Sequence, residues 1–236
     1  MDCSGYGRHG TVVGALSTSS DAPRYENSTY WSNGSTNYGK SGAVSMPTDA
    51  ITMSFWFKSS SAGHGSYHIP ISFNASDYEC SIDSSGQFRN GYAINGSRIV
   101  DNTSTSILDG KWHMLTSTYD GATIRRYLDG TEIPNSSHAA SGTLRGGTGQ
   151  LLLGNYNTTT YGNKDAYMSD VRIYATALSA DDIKTLYNSR IAMLDNGTTM
   201  AYRFTESSTS KLQMGADGII KADNISELDH IAEMKT

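Results

Sequence analysis

The stretch Lys111–Gly130, which reads KWHMLTSTYDGATIRRYLDG, decides the fold of this chain. It consists of an extended segment, an Asp-Gly pair at 120–121, a second extended segment and another Asp-Gly pair at 129–130. Asp-Gly pairs between segments rich in β-branched and aromatic residues are typical of hairpins, because tight hairpin turns need positive φ angles. The stretch therefore predicts antiparallel strands joined by two-residue turns.

The same alternation of apolar and polar residues recurs upstream. It runs through residues 51–58, 67–74 and 88–94, although Asn90 interrupts the apolar face of the last segment. Turn-forming pairs such as Asn95-Gly96 separate the segments. Each segment is expected to be a strand that presents one face to a core.

One helix is predicted near the end of this region. Ser179 is a good N-cap, and Asp181 and Asp182 fall in the first turn, near the positive end of the helix dipole. Leu178 before the cap can pack on Ile183 inside the helix. We expect this helix to close one end of a β-sandwich, which is a structural role.

Three motifs, in their order and spacing, resemble the LamG-like concanavalin A-type jelly rolls. They are the hairpin of 111–130, the segment GQLLLGN at 149–155, and DAYMSDVRIYATALSADDIKTLY at 165–187. The opening segment 2–12, DCSGYGRHGTV, is also similar to that family. The resemblance covers residues 2–190. It implies an all-β fold, an antiparallel jelly-roll β-sandwich with one short helix, and much less about function, since this fold hosts lectins, hydrolases, adhesins and spacers.

Residues 191–236 lie beyond the resemblance and are expected to form a C-terminal β-hairpin extension for assembly or docking. The extension is too polar to bury a core of its own. It is similar to the tails of LamG-bearing structural proteins of bacteriophages. Met200–Phe204 is a candidate strand for an open sheet edge, either in its own chain or in a neighbouring copy, which would give an oligomer. The alternative is a separate stalk.

Charge and composition exclude several partners. The formal net charge is −5 and no basic run occurs, so no nucleic acid is expected to bind. No apolar stretch is long enough for membrane insertion. Met1 leads directly into Asp2, so no signal peptide is expected at this end. Localisation on a virion or outside the cell is expected from the resemblance. Cys3 and Cys80 are either paired or free, and two free thiols are favoured.

Catalysis is not expected. The related laminarinase-type glycoside hydrolases carry the pattern Glu-X-Asp-X-X-Glu on one strand, and the glutamates of this chain do not form it. Retaining hydrolysis needs two carboxyl groups about 5–5.5 Å apart. His64 and His68 are separated by Gly65, which disfavours the helix that a zinc pair at this spacing needs.

Calcium is the predicted cofactor. The opening loop contains glycines, including Gly7, that let backbone carbonyls turn inward, and calcium prefers carbonyl and carboxylate oxygens. The resemblance adds Asp170, which precedes VRIY at the place where the family commonly holds a structural calcium together with this loop. The predicted ligands are therefore Asp2, Gly7 and Asp170. The alternative is that Asp170 is a surface carboxylate paired with Arg172.

Two segments have the chemistry of sugar-binding sites, which combine aromatic rings with amide and carboxylate groups. Each is alternatively an ordinary exposed loop or sheet rim. The candidate ligand-binding residues are Tyr156, Asn157, Tyr161 and Asn163 in the first segment, and Trp31 and Tyr38 in the second. By the resemblance, Trp56 and Trp112 are expected in the core and not at a ligand.

The sequence therefore predicts a non-catalytic carbohydrate-binding or adhesion module. It would be displayed on a virion, as a tail fibre or capsid decoration, or on a secreted assembly. Its partners would be a glycan or cell-surface polysaccharide and other subunits of the assembly. The alternatives are a purely structural decoration module without a glycan ligand and, third, a domain associated with a glycoside hydrolase.

Overall fold

A computed structural model describes residues 10–23, 27–32, 36–74, 77–156, 161–188, 198–202, 212–214 and 220–222. In this part of the chain, two antiparallel sheets of seven and nine strands form a β-sandwich, as the sequence predicts. The only helix among the described residues is α1 (Ala180–Asn188).

The seven-stranded sheet has the strand order β1-β4-β14-β6-β7-β8-β9. Its strands are β1 (Gly10–Val13), β4 (Tyr38–Met46), β6 (His68–Phe73), β7 (Tyr78–Ile82), β8 (Gln87–Ile94), β9 (Ser97–Ser106) and β14 (Gly147–Leu153).

The nine-stranded sheet has the order β12-β11-β10-β5-β15-β3-β2, with β13 also pairing with β11 and β16 with β15. Its strands are β2 (Ser17–Ser19), β3 (Ser28–Trp31), β5 (Ile51–Ser59), β10 (His113–Tyr119), β11 (Thr123–Leu128), β12 (Thr131–Glu132), β13 (His138–Ala139), β15 (Ala166–Tyr174) and β16 (Thr198–Tyr202).

The core lies between the two sheets. Phe55 of β5 and Phe88 of β8 meet edge to face with their ring centroids 6.1 Å apart, and neither is exposed to solvent. Burying a side chain of this size stabilises a fold by about 1.5–3 kcal/mol. Cys80 lies in the same core as a free thiol, and burial raises its pKa. Cys3 lies outside the described residues.

The two Asp-Gly pairs of the opening stretch form different turns. Asp129 and Gly130 both have positive φ, 52° and 78°, and Leu128 pairs with Thr131, so this is the predicted two-residue turn. The prediction for residues 120–121 is wrong. Four residues separate the paired strand positions there, because the Asp120 carboxylate accepts two backbone N–H groups and opens a wider loop.

Helix α1 begins as predicted but lies elsewhere. Ser179 Oγ accepts the N–H of Asp182 at 3.1 Å, and the Asp182 carboxylate accepts the N–H of Ser179, which closes a capping box. The helix does not close an end of the sandwich. It packs on the outward face of the nine-stranded sheet, where Tyr187 stacks on Trp56 with the ring centroids 5.5 Å apart. The outward-pointing apolar residues of β5 and β10 require this cover.

The C-terminal region supplies a strand to the sandwich. Strand β16 pairs with the second half of β15, whereas β3 pairs with the first half. Met200–Phe204 is a candidate strand in the sequence, for its own chain or for a neighbouring copy, and residues 198–202 show pairing within their own chain. The hairpin β17 (Leu212–Met214) and β18 (Ile220–Ala222) forms a separate two-stranded sheet.

Polar groups interrupt the core near the open edge of β9. Asn90 is fully buried, and neither of its amide atoms has a hydrogen-bond partner among the described residues. Arg126 is also buried, and its Nη2 lies 3.7 Å from the carboxylate of Asp101. Asn90 is the residue that breaks the apolar alternation in the sequence.

No helix in the described part of the chain is both long and apolar enough to cross a membrane.

Candidate functional site

The outward face of the seven-stranded sheet carries polar residues that are nevertheless buried. Ser72, Glu79 and Gly91 are neighbours across β6, β7 and β8. The Ser72 hydroxyl donates to the carbonyl of Asn155 at 2.8 Å, and Glu79 pairs with Arg98. Part of the β14–β15 connection and the Arg98 side chain therefore cover this face.

The described parts of that connection, 154–156 and 161–163, fold back on each other. The N–H of Asn163 donates to the carbonyl of Gly154 at 2.8 Å, and the N–H of Tyr156 donates to Tyr161 at 3.2 Å. Gly154 has φ +85°, and a Cβ there would lie 2.2 Å from the indole nitrogen of Trp31. Glycine is required at this position, and the fold-back sets the two tyrosines side by side.

Three tyrosines form a continuous row on this face. The ring of Tyr161 lies 6.2 Å from that of Tyr156 and 5.4 Å from that of Tyr67, in edge-to-face contacts. The guanidinium of Arg89 lies 4.9 Å from the centroid of the Tyr67 ring. All four side chains are half-buried. Together with Glu79 and Arg98, they are called the tyrosine surface below.

The Glu79–Arg98 pair borders this row. The Arg98 guanidinium crosses Gly91, since a Cβ on that glycine would lie 3.0 Å from Nη2 of Arg98. The Glu79 side chain is only 6% exposed, and the Arg98 guanidinium is its ionic partner. Burial raises the pKa of Tyr156, the charge of Glu79 raises it further, and the charge of Arg98 opposes this increase.

Hydrogen-bonding groups continue beyond Tyr67. Nε of Arg89 donates to Oδ1 of Asn102 at 2.8 Å, and the amide of Asn102 donates to Asp83 at 3.3 Å. The site thus combines rigid aromatic faces with guanidinium, amide and carboxylate groups. Aromatic faces cover apolar C–H surfaces, and the polar groups bind hydroxyls, which suits a polyhydroxylated ligand.

Two of the carboxylates here are paired with arginines. Asp77 lies 3.4 Å from Arg145, and Glu79 is bound to Arg98. Asp83 instead accepts the amide N–H of Asn102.

The structure brings together two of the predicted ligand residues, Tyr156 and Tyr161. Two others are wrong. Trp31 is fully buried in the core, and Asn163 is fully buried with its amide 2.8 Å from the sulfur of Met168, so neither side chain reaches a ligand in solution. Asn157 lies outside the described residues. Tyr38 is half-buried on β4 and stays a prediction.

The sequence reasoning missed Tyr67, Arg89 and the Glu79–Arg98 pair. Alternation along β7 and β8 places Glu79 and Arg89 on the outward face. Only the register of the strands makes these side chains neighbours, and register is not read from one strand alone.

The predicted calcium site is described only in part. Asp2 and Gly7 lie outside the described residues. Asp170 is not at the surface: its side chain is 4% exposed, and its two oxygens accept hydrogen bonds from Arg172 at 2.7 and 3.0 Å. The pairing with Arg172 is therefore correct, although it is buried. The described residues contain no group of three or more His, Cys, Asp or Glu side chains that would hold a metal.

A buried bulge positions this ion pair. Asp170 has φ +47° where the pairing of β15 with β5 slips between Ser169 and Arg172. Burial lowers the pKa of Arg172, but the charge and hydrogen bonds of Asp170 outweigh it and leave that pKa above its ordinary value. Arg172 therefore remains protonated.

A family model described as the concanavalin A-like lectin/glucanases superfamily matches residues 33–184. No curated protein matches this chain.

Several solved structures share the fold. The binding domain of Paraclostridial Mosquitocidal Protein 1 is 15% identical with a TM-score of 0.62, over 78% of this chain and 48% of that one. The binding domain of botulinum neurotoxin DC in complex with SialylT is 19% identical with a TM-score of 0.58, over 80% and 47%. A structure of botulinum neurotoxin type C, whose cell entry is dependent upon interaction with two ganglioside molecules, is 20% identical with a TM-score of 0.57, over 79% and 47%. This chain spans about half the length of these proteins.

Proposed function

This chain belongs to the concanavalin A-like lectin/glucanases superfamily, and we propose that it is a non-catalytic module that binds carbohydrate at the tyrosine surface. The observation that carries the proposal is the row Tyr156, Tyr161 and Tyr67, which ends under Arg89. The buried Glu79 carboxylate and its partner Arg98 border this row.

The rings and the polar groups have complementary tasks. Tyrosine has two side-chain torsions, so it offers a large contact area at a small cost in conformational entropy. The ring contacts already restrict Tyr161 on both sides, which lowers that cost further. Arg89 and Asn102 then provide fixed donors for hydroxyl or carboxylate oxygens of a sugar.

The structural relatives support a binding role. They include binding domains, a complex with SialylT and a toxin whose cell entry depends on gangliosides, and these ligands belong to those proteins. At these identities the likeness concerns the fold, so the glycan of this chain is a separate question. We propose that this module is displayed on a virion or a secreted assembly. Residues 191–236 would join it to other subunits or copies.

Glycan-array binding of the full chain tests the proposal. Wild type is expected to bind at least one glycan class, and Tyr161→Ala and Arg89→Ala are each expected to weaken binding about tenfold, as hot-spot truncations do. Val12→Ala is the control, because Val12 is 61% exposed on the opposite edge strand of the same sheet. Melting temperatures show whether the variants fold.

Two outcomes contradict the proposal. Glycan binding that is unchanged in both tyrosine-surface variants would place the ligand elsewhere. Binding to no glycan at all would favour the purely structural decoration module.

A further inference from the structure

The outward face of the nine-stranded sheet carries a second group of aromatic side chains. Tyr167 of β15 pairs with Tyr30 of β3 on one side and with Lys58 of β5 on the other. Trp112 precedes β10 on the far side of β5. All four side chains are half-buried. With Asp21, they form what is called the aromatic platform below.

The rings of the platform are in mutual contact. The ring centroid of Tyr167 lies 4.8 Å from that of Tyr30 and 6.3 Å from that of Trp112. Nζ of Lys58 lies 5.5 Å from the centre of the Tyr167 ring. Tyr167 is therefore the central ring, and its neighbours extend the aromatic area on both sides.

Polar contacts hold the rings in place. The indole N–H of Trp112 donates to Oδ1 of Asp21 at 2.8 Å, while Nζ of Lys58 lies 2.5 Å from Oδ2. The Tyr30 hydroxyl donates to Asp165 at 3.0 Å. The hydrogen bond from Lys58, and to a smaller extent that from Trp112, lowers the pKa of Asp21, which keeps its carboxylate ionised. The platform is preorganised, and this reduces the entropic cost of binding.

Helix α1 covers another part of this sheet face. Trp56, the outward residue two positions before Lys58 on β5, is 8% exposed because Tyr187 of helix α1 stacks on it. Helix α1 therefore covers Trp56, which belongs to the apolar cluster beneath the helix. The rings of the platform are left accessible beside it, each tied to a carboxylate or an ammonium group.

The charges of the platform select the class of ligand. Lys58 and Asp21 neutralise each other, so neither demands an ion from a ligand. Lys58 already occupies the cation–π position over Tyr167, which disfavours a cationic ligand. A ring with an apolar C–H face and hydroxyl groups at its rim matches the aromatic area and the flanking polar atoms.

We propose that the aromatic platform is a second carbohydrate-binding site, specific for neutral sugars. It shares no residue with the tyrosine surface and lies on the outward face of the other sheet. A chain with both sites binds two glycan segments at once, and two linked contacts raise the overall avidity without new contacts at either site. The platform site does not depend on the tyrosine surface being a glycan site.

The tryptophans provide a selective readout. Trp31 is fully buried and Trp56 is 8% exposed, so acrylamide quenching of fluorescence reports mainly on Trp112. The probes are neutral hexasaccharides of glucose with β-1,4, β-1,3 and α-1,4 linkages, and of mannose with β-1,4 linkages. At least one probe is expected to protect Trp112 from quenching and to give a binding isotherm by calorimetry.

Variants locate the binding. Tyr167→Ala is expected to weaken the bound probe about tenfold, and Tyr30→Ala is the second variant in case the first does not fold. Val12→Ala, on the other sheet, is the matched control and is expected to leave this affinity unchanged. Tyr161→Ala tests whether the probe binds at the tyrosine surface instead. The proposal is overturned if no probe at a concentration of about 10 mM, ten times a millimolar dissociation constant, protects Trp112 from quenching. It is also overturned if the bound probe still binds to both platform variants with unchanged affinity. Loss of binding only in Tyr161→Ala would assign the probe to the tyrosine surface instead.

Discussion

Removing the charge of Asp170 is expected to destabilise the fold strongly. Its carboxylate is bound through both oxygens to Arg172, inside the sheet and away from water. Asp170→Asn is the variant of choice, because Asn tolerates the observed φ of +47° and keeps the shape of the side chain. The effect is then one of charge and not of backbone strain.

The magnitude follows from the burial of both partners. The side chains of Asp170 and Arg172 are 4% and 1% exposed, so the guanidinium would lose its counter-charge in a medium that solvates it poorly. Breaking a buried pair of this kind costs about 3–5 kcal/mol. This is a large share of the roughly 5–15 kcal/mol that stabilises a typical domain. Replacing both residues, as in Asp170→Asn with Arg172→Met, is expected to recover much of the loss.

Urea unfolding of the four proteins in the double-mutant cycle measures these free energies. The reasoning is refuted if Asp170→Asn costs less than about 1 kcal/mol, the range of an exposed pair. Repeating the series with excess chelator addresses the predicted calcium site. If a cation binds near Asp170, chelator lowers the melting temperature of the wild type, and the difference between wild type and Asp170→Asn shrinks.

Three further expectations concern a histidine, two glycines and the buried amide. The hydrogen bond to Asp129 raises the pKa of His113 despite burial. The resulting stabilisation is fully present below the unfolded pKa of about 6.5 and is lost as pH rises through the folded pKa. The free energy of unfolding, measured from acid to alkaline pH, should therefore show a decline that His113→Gln lacks. Gly130→Ala is expected to cost about 1–2 kcal/mol of stability, and more than Gly121→Ala. Both glycines have positive φ, but a Cβ on Gly130 would also lie 2.8 Å from a helix side chain, whereas a Cβ on Gly121 would have its nearest atom 3.5 Å away. Equal melting temperatures of the two variants would contradict this. Asn90→Leu removes an amide without partners among the described residues and is expected to raise stability by about 1–3 kcal/mol, and a lower denaturation midpoint would show that the amide is satisfied in solution.

Local patterns predicted the elements well. Alternation placed β5, β6 and β8 within a residue or two of their observed ends, and Ser179 marked the start of α1. The turn at 129–130 followed from its residue types alone. Each of these features depends on contacts between residues close in sequence, so the chain encodes it locally.

The same patterns could not predict which side chains meet. Trp31 and Asn163 have the chemistry of a sugar site, yet both are buried in the sandwich. Trp112, expected in the core, is half-exposed beside Tyr167. Composition does not distinguish the buried side chains from the exposed ones, because the direction of a side chain depends on which face of its strand meets the other sheet.

The sequence by itself determined an all-β sandwich, its family, the boundaries of several strands and the start of the capped helix, because alternation, turn residues and capping residues act over a few positions. The tertiary structure alone decided where the two aromatic surfaces lie. Tyr67, Tyr156 and Tyr161 come from separate segments, and Tyr30 and Tyr167 from opposite ends of the sandwich sequence. Strand register and sheet order bring such residues together, and both are set by long-range pairing that no local pattern contains.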